Sequence, residues 1–515
     1  MRRQEIQLMA HARQGDAIAR CEVGRRYLLG VLGFPRHVAL GLEYLEHPSL
    51  NGMAAPARIV AESLPLEQLL ELGQTEALAR AAAAGSIAAQ VKWGAWCTVG
   101  GPGLAEGQGW LRSAAHSGHD GARRACRALI DAPAEDAALT VLQQLGGPAI
   151  NGAEVARWTA RRALESRDLP RLCSCLRTAV TLAGTADESL MTMVAAAVRL
   201  AEATRQVLSG LPATLLRDSL QHRAARGDRD AAFTLGRAVC GMDCDALPPG
   251  VFADQQNMRR GAALLLRAAD AGCDGAWLRL YRLHSDRRNS VANPQLARFF
   301  LEKAAAKGQL EALRKLGALQ LRESASLDET EQAIASLYQA AELGDGLART
   351  LLLSLVLPLA WSDEEAALAI AQVRPVDPCL ATRLALSRSF GLTKLEALTV
   401  DPVDGLRPWG LVVGRNPFIS QVRLSAPRAI PANSTPALDT ARQAAAFFGQ
   451  SRVSSDAVEG DLRARSLRQR RLFDRLDLDD TMFFSDASSM MLESLRLGTK
   501  WAFRARQPLT QALAA

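Results

Sequence analysis

Cysteine and histidine residues in the middle of the chain come closest to a metal-binding pattern. Cys240 and Cys244 are separated by three residues, and Cys273 and His284 follow downstream. Zinc is bound by thiolates and imidazoles, but a structural site needs a second close pair of ligands, which this part of the sequence lacks. Cysteine is also a small residue that packs readily inside helical proteins. We therefore expect these residues to pack in the interior, with no metal and no cofactor.

Two histidines, His116 and His119, flank Gly118 and are candidates for acid–base chemistry. Their spacing places them on either side of a turn between two helices, where a histidine at a helix C-terminus interacts favourably with the helix dipole. The sequence contains no Gly-x-Ser-x-Gly elbow, no His-Glu-x-x-His motif and no Walker loop. It predicts a protein that is not an enzyme, and it leaves open only an activity within residues 400–515.

The densest run of positive charge lies near the C-terminus. Its arginines are Arg463, Arg465, Arg468, Arg470, Arg471 and Arg475. In a chain of net charge +7, such a run could bind nucleic acid or an anionic membrane. Acidic residues flank the run, however, and Phe473 is its only aromatic residue. We expect a solvated helix whose charges neutralise one another. Nucleic acid is therefore not the expected partner, and a regulator that binds nucleic acid or anionic membrane through Arg463–Arg475 is the alternative function.

The composition indicates a folded helical protein. Of the 515 residues, 48% are hydrophobic and only 5% are aromatic, and the many Ala and Leu residues favour helices over strands. No apolar stretch is long enough to span a bilayer, and the N-terminus lacks the apolar core of a secretory signal. The nine cysteines follow no disulfide framework. We expect a cytoplasmic protein without a transmembrane segment.

A pattern of twelve positions recurs along the chain: a small residue, two bulky apolar residues, an Ala pair and a closing Gly. Its copies close at Gly118, Gly272, Gly308 and Gly344, with looser copies at Gly52 and Gly85. The last three full copies are 36 residues apart. The interval of 109 residues between Gly118 and Gly227 leaves room for three units with weaker signatures. Repetition at this period indicates a helical solenoid.

A second pattern starts at each closing Gly and runs forward. From Gly308, apolar Ala312 and Leu316 lie at +4 and +8, followed by the small residue Gly317. This spacing is one face of a helix. Each unit is therefore a helix A, a loop, a helix B and a turn at a left-handed Gly, after which a residue such as Asp345 caps the next helix A. Neither helix can bury its apolar stripe alone, so the units must stack.

The fold class that follows is all-α. We expect an α-solenoid of stacked antiparallel helix pairs with a period of about 36 residues, followed by a partly extended Pro-rich segment and short helices. The combined pattern resembles the Sel-1-like repeat family, a tetratricopeptide-like α-solenoid, over residues 10–130 and 220–357. Members of that family are typically adaptors that assemble bacterial multi-protein complexes. The resemblance implies a non-enzymatic protein–protein interaction scaffold in a bacterial cytoplasmic complex, which binds a partner segment in its concave groove.

The chain is expected to fall into six segments. We expect Sel-1-like repeats in residues 1–130 and 221–360, degenerate helical repeats in 131–220, a helical cap in 361–400, a Pro-rich extended segment in 401–440 and a helical region in 441–515. The six prolines between Asp401 and Pro436 exclude a helix there and predict an extended segment. Apolar Trp409 and Ile430 predict that this segment packs along the solenoid.

The helix period also predicts a binding face. Positions +6, +10, +13 and +14 of helix A point away from helix B at about 100° per residue, and they line the concave surface of a stacked solenoid. The candidate partner-binding residues at or near these positions are Arg25, Phe233, Arg237, Leu278, Arg282, Arg314 and Arg322. Arginines bind carboxylates through paired hydrogen bonds, so the expected partner is a protein with an acidic segment. Ala95, Ala318 and Ser354 interrupt the series, and an Arg-rich chain would also place arginines at such positions by chance.

Overall fold

The computed structural model describes residues 3–100, 103–184, 187–417, 419–453, 459–488, 491–492 and 503–514. The chain divides into two compact units, Met1–Cys273 and Asp274–Ala515. Helices dominate both units, which confirms the predicted all-α solenoid. The unit boundary falls inside predicted segment 221–360, and the six-segment organisation stays a prediction.

The first unit is a succession of helices joined by short connections. They are α1 (Arg3–Arg13), α2 (Ala17–Leu29), α3 (Val38–Leu45), α4 (Ala54–Ser63), α5 (Leu66–Glu71), α6 (Thr75–Ala83), α7 (Ile87–Val99), α8 (Leu104–His116), α9 (Asp120–Asp131), α10 (Ala137–Leu145), α11 (Gly152–Glu165), α12 (Leu169–Ala183), α13 (Glu188–Thr204), α14 (Ala213–Ala225), α15 (Arg229–Val239) and α16 (Met258–Asp270). The most extensive contacts join a helix A to the following helix B, as in α7 with α8 and α15 with α16. Helices B of this unit also pack on the next helix A, as α14 does on α15.

The second unit begins with the same alternation. Its helices A are α17 (Gly275–Ser285), α19 (Leu310–Glu323) and α21 (Gly346–Leu355), and its helices B are α18 (Pro294–Ala306) and α20 (Leu327–Glu342). α17 packs on α18, and α19 packs on α20. We call the side of this unit on which α17, α19 and α21 lie next to one another its A-helix face.

The remainder of the second unit forms a mixed helical and sheet region. It contains α22 (Asp363–Val373), α23 (Pro378–Phe390), α24 (Lys394–Thr399), α25 (Pro402–Gly405), β1 (Leu406–Arg407), β2 (Gly410–Val413), β3 (Arg428–Pro431), α26 (Thr435–Val453), α27 (Leu462–Leu476) and α28 (Phe503–Ala514). The strands form an antiparallel sheet in the order β1-β2-β3, with Leu411 opposite Ile430. The Pro-rich segment is thus partly extended, as predicted, and β3 packs on α20 and α21. The expectation that its prolines exclude helix is wrong for α25 and for the start of α26, because Pro402 and Pro436 lie in the first turn of these helices, where proline is tolerated.

The turns between repeats depend on glycine. The closing glycines Gly118, Gly308 and Gly344 have φ of 96°, 73° and 98°, values that residues with a Cβ rarely adopt. Asp16 and Asp345 then accept backbone hydrogen bonds as N-caps of α2 and α21. Both features confirm the turn predicted from the sequence.

Glycine also sets the distance between helices A and B. A methyl group at Gly317 of α19 would lie 2.8 Å from Leu337 Cγ and 3.0 Å from the Ala333 carbonyl oxygen of α20. Gly94 of α7 is in the same relation to Leu111 of α8, at 2.9 Å. These separations are shorter than carbon atoms tolerate, so the small residue at +9 is required for the pair to pack.

Candidate partner-binding face

The seven predicted binding residues all lie on helices A. Arg25 is on α2, and Phe233 and Arg237 are on α15 of the first unit. Leu278 and Arg282 are on α17, and Arg314 and Arg322 are on α19 of the second unit. The two groups are described separately, since each belongs to its own compact unit.

Arg25 is held by a carboxylate of its own helix. Its Nε and Nη2 donate hydrogen bonds of 2.8 Å to the two oxygens of Glu22, and Arg26 Nε donates a third at 2.7 Å. The hydrogen bond from Arg25 is the main cause that lowers the pKa of Glu22 to about 2. The Arg25 side chain remains 36% exposed.

The Arg237 side chain is less exposed than that of Arg25 and contacts residues outside its own helix. Its guanidinium lies 5.2 Å from the centre of the half-buried Phe233 ring. Nη1 lies 3.2 Å from Glu202 Oε1 of α13, and Nη2 donates to the Asp243 carbonyl. Only 11% of the side chain is exposed. Arg237 therefore joins two successive helices A, α13 and α15, in the first unit.

Arg282 contributes to a charged cluster on the A-helix face of the second unit. Its Nη2 lies 2.5 Å from Glu311 Oε2 of α19, and Lys315 Nζ lies 3.2 Å from the other Glu311 oxygen. Burial would raise the pKa of Glu311, but hydrogen bonds from Arg282 and Lys315 hold it below its ordinary value. Half-buried Leu278 lies one turn before Arg282 on α17. The Arg282 side chain is 43% exposed.

Arg314 and Arg322 lie on the same helix in different surroundings. Arg314 is buried, and its Nη1 lies 3.6 Å from the carboxylate of Asp345, the residue that caps α21. Arg322 is 49% exposed and its closest carboxylate is that of Glu323, at 3.5 Å. Among the predicted arginines, Arg282 and Arg322 present the most accessible guanidinium groups.

The prediction from the sequence missed the carboxylates that share this face. Arg25, Arg237, Arg282 and Arg314 each pair with one of Glu22, Glu202, Glu311 and Asp345. Local spacing signals one of these four contacts, since Glu22 lies three residues before Arg25, and it also signals the separate contact of Glu311 with Lys315 four residues later. The pairs that join different repeats have no such local signal.

The cysteine and histidine candidates lie in different surroundings: Cys240 and His284 are buried, Cys244 and Cys273 are half-buried, His119 is an N-cap and His116 is exposed. Burial raises the pKa of the Cys240 thiol to about 11, and Cys244 Sγ lies 3.8 Å from the Thr234 carbonyl. The His284 ring packs 5.2 Å from that of Phe300, and His119 accepts a hydrogen bond as the N-cap of α9. No group of three or more His, Cys, Asp or Glu residues in the described part of the chain could hold a metal ion.

The arginine-rich run forms α27. Arg463, Arg470, Arg471 and Arg475 are exposed, and none of them pairs with a carboxylate among the residues that the structure describes. Two of the flanking acidic residues interact with other groups: Asp461 caps α27, and Asp480 pairs with Lys394 at 2.7 Å. These four arginines are solvated, as expected, and the neutralisation of their charge stays a prediction. Phe473 is buried, so it cannot stack on a nucleic-acid base.

Comparisons with known proteins found similarity to solved structures alone. No protein-family profile and no curated protein matches the chain. A solved structure to which it is similar is that of a protective antigen present in uropathogenic Escherichia coli strains, which displays an SLR fold; it is 18% identical over 68% of this chain and 74% of that one, with a TM-score of 0.30. A second is a Sel1 repeat protein from Oxalobacter formigenes, 16% identical over 69% of this chain and 91% of that one, with a TM-score of 0.25.

One neighbour is thus described by an SLR fold and the other as a Sel1 repeat protein. The similarity does not extend to function at this identity and these TM-scores. No helix in the described ranges is both long and apolar enough to cross a bilayer.

Proposed function

We propose that the chain is a non-enzymatic scaffold in the bacterial cytoplasm that binds a segment of a partner protein on its helices A. The observation that carries this proposal is the exposure of Arg282 and Arg322 on the A-helix face of the second unit, at 43% and 49%. Stacked repeats place such residues on a continuous surface, which is the usual binding surface of helical solenoids.

The chemistry of these two arginines favours an acidic partner segment. A guanidinium has five N–H donors in a planar fork, so Arg282 can keep its contact with Glu311 and still bind a second carboxylate. Arg322 has only a long contact with Glu323 and is freer still. Buried Arg314 and half-buried Arg237 would instead hold the repeats in register, and Leu278 and Phe233 would add apolar contacts.

This proposal can be tested without knowledge of the native host by selecting, from a library of displayed random peptides, those that bind the immobilised full chain. We expect the wild type to enrich peptides rich in Asp and Glu, and Arg282→Glu combined with Arg322→Glu to abolish that enrichment. Lys303→Glu combined with Lys307→Glu is the matched control, because these exposed residues belong to helix B α18 and its end. Equal enrichment by the wild type and the arginine variant would place the binding site elsewhere.

A second candidate function is binding to a polyanion through α27. The exposed arginines of α27 described above support it. With Phe473 buried, such binding would use phosphate groups rather than bases, so it should be independent of nucleotide sequence and weaken steeply with salt. Titrations with duplex DNA and with phosphatidylglycerol vesicles, repeated with Arg470→Glu and Arg471→Glu, would separate the two polyanions. The absence of salt-dependent binding to both would exclude this candidate.

A further inference from the structure

The C-terminal helix α28 lies on the A-helix face. It packs on α19 and α21, two consecutive helices A of the second unit. Its buried residues Ala505, Leu509 and Ala512 lie at positions i, i+4 and i+7, which is a single stripe along a helix. The other side of the helix is exposed at Arg506, Gln507, Thr510 and Gln511. A short amphipathic helix thus occupies the surface that the repeat period assigns to partners.

Ala318 lies on α19, one of the two helices A that α28 contacts. It occupies position +10 from Gly308, the same position as Arg237 and Arg282 in their repeats, yet it is fully buried. Ala318 lies about 100° round α19 from Gly317, which faces α20. It lies on the same side as Arg314, which points to Asp345 at the start of α21. α28 packs on α19, the helix that carries this buried alanine.

The sequence of α28 is poorly suited to form a helix by itself. The helix has only 12 residues, and Pro508 lies inside it. Proline removes a backbone hydrogen bond and costs about 3 kcal/mol in a helix interior. Arg506 also lies in the first turn, where positive charge opposes the helix dipole. An isolated helix of this length is marginal in water, so the helical form of α28 depends on docking.

These observations together describe a displaceable ligand within the chain. We infer that the surface formed by α19 and α21 is a receptor for an amphipathic helix, and that α28 occupies it until a partner helix displaces it. The partner's contact stripe should carry small residues on either side of one Leu-sized residue, because α28 seats Ala505, Leu509 and Ala512 there. The inference rests on the proposed function, since it assigns the class and regulation of the partner on the same face.

Competition by a labelled peptide in the full chain tests this inference. The probe is a fluorescent peptide with the sequence of residues 500–515, and binding is followed by anisotropy. Leu509→Asp or Ala512→Asp in the chain places a carboxylate on the buried stripe and should release α28. Gln511→Asp is the matched control, since it adds the same charge to the exposed side of the same helix. Far-UV circular dichroism and melting temperature verify that each variant retains its fold.

The released chains should bind the peptide at least about tenfold more tightly than the wild type, because a helix docked in nine of ten molecules reduces the apparent affinity by that factor. The Gln511→Asp chain should behave as the wild type, and a peptide carrying Leu509→Asp should not bind. Hydrogen exchange should show that bound peptide protects amides of α19 and α21 in the released chain.

Three results would overturn the inference: equal binding to the wild type and both released chains, no binding to a released chain that keeps its helical spectrum, or protection outside α19 and α21. If acidic peptides are still selected by display in any of these cases, the proposed function stands without this mode of regulation. If the C-terminal peptide binds as expected while display enriches no acidic peptide, the receptor surface stands and the acidic partner fails.

Discussion

The Arg314 guanidinium lies 3.6 Å from the carboxylate of Asp345, and both side chains are buried. Asp345 Oδ1 also accepts the backbone N–H of Ala348 at 2.9 Å, which caps α21. An arginine predicted to contact a partner therefore ties one helix A to the start of the next. Arg282 with Glu311 and Arg237 with Glu202 join repeats in the same way. Ion pairs along the helices A thus help to set the register of the stack.

Removal of the Arg314 side chain should destabilise the second unit. Arg314→Ala leaves the Asp345 carboxylate buried without its partner, and we expect a loss of about 1–3 kcal/mol in the free energy of unfolding. Urea denaturation followed by circular dichroism measures it. Arg322→Ala on the same helix is the control and should change stability by no more than about 0.5 kcal/mol, since Arg322 is exposed. Equal effects of both changes would show that the Arg314–Asp345 pair has no special role.

A second buried pair should show strong coupling. Arg428 Nε and Nη2 donate to the two oxygens of Glu396 at 3.1 and 2.9 Å, and both side chains are fully buried. Breaking such a pair costs about 3–5 kcal/mol, whereas replacing both partners with apolar residues is often close to neutral. We expect Arg428→Met to destabilise the second unit by that amount and the double change Arg428→Met with Glu396→Leu to recover most of it. A double-mutant cycle with additive effects would contradict this expectation.

Packing between helices A and B gives a third prediction. Ala304 of α18 is fully buried and belongs to the Ala pair of its repeat. Ala304→Leu adds three carbon atoms to a filled interior, so we expect a loss of about 1–3 kcal/mol. Ala306→Leu, at an exposed position of the same helix, is the control and should be nearly neutral. Thermal unfolding of the two variants measures the difference, and indistinguishable midpoints would mean that the Ala pair does not limit packing.

The features that the sequence predicted correctly are local. The φ of Gly308 and the capping by Asp345 depend on residues within one turn of the chain, and a single repeat contains all the necessary information. The helical face of Ala312 and Leu316 follows from the period alone. Because each of these signals recurs in several repeats, the fold class could be derived without any long-range contact.

The features that the sequence did not predict depend on contacts between distant residues. α28, which packs on α19, begins 185 residues after Ala318 of that helix. Glu311 approaches Arg282 from the next repeat, across 29 residues. No periodic pattern marks either contact, because α28 is a single segment outside the array and the carboxylates occupy different repeat positions. The chemistry of the face is therefore set by tertiary packing, although its position is set by the repeat.

A buried lysine in the first unit should make stability depend on pH in the alkaline range. Lys92 of α7 is almost fully buried, and its Nζ donates to the carbonyls of Ala61 and Leu64 at 2.6 and 2.7 Å. Burial lowers the pKa of Lys92 to about 8, against the opposing effect of Glu67 and Glu62. In the unfolded chain the pKa of lysine is about 10.4.

Between these two values the unfolded chain binds more protons than the folded chain, so the contribution of Lys92 to the free energy of unfolding rises with pH. The cost of burying its charge is present in full below pH 8 and is relieved as the pH approaches about 10.4. We expect a relative gain of about 3 kcal/mol for the wild type over Lys92→Met across this interval, measured by urea denaturation at several pH values. Lys303→Met, at an exposed position, is the control and should follow the wild type. Parallel curves for the wild type and Lys92→Met would show that Lys92 remains charged through this range, held by the two carbonyls at the end of α4.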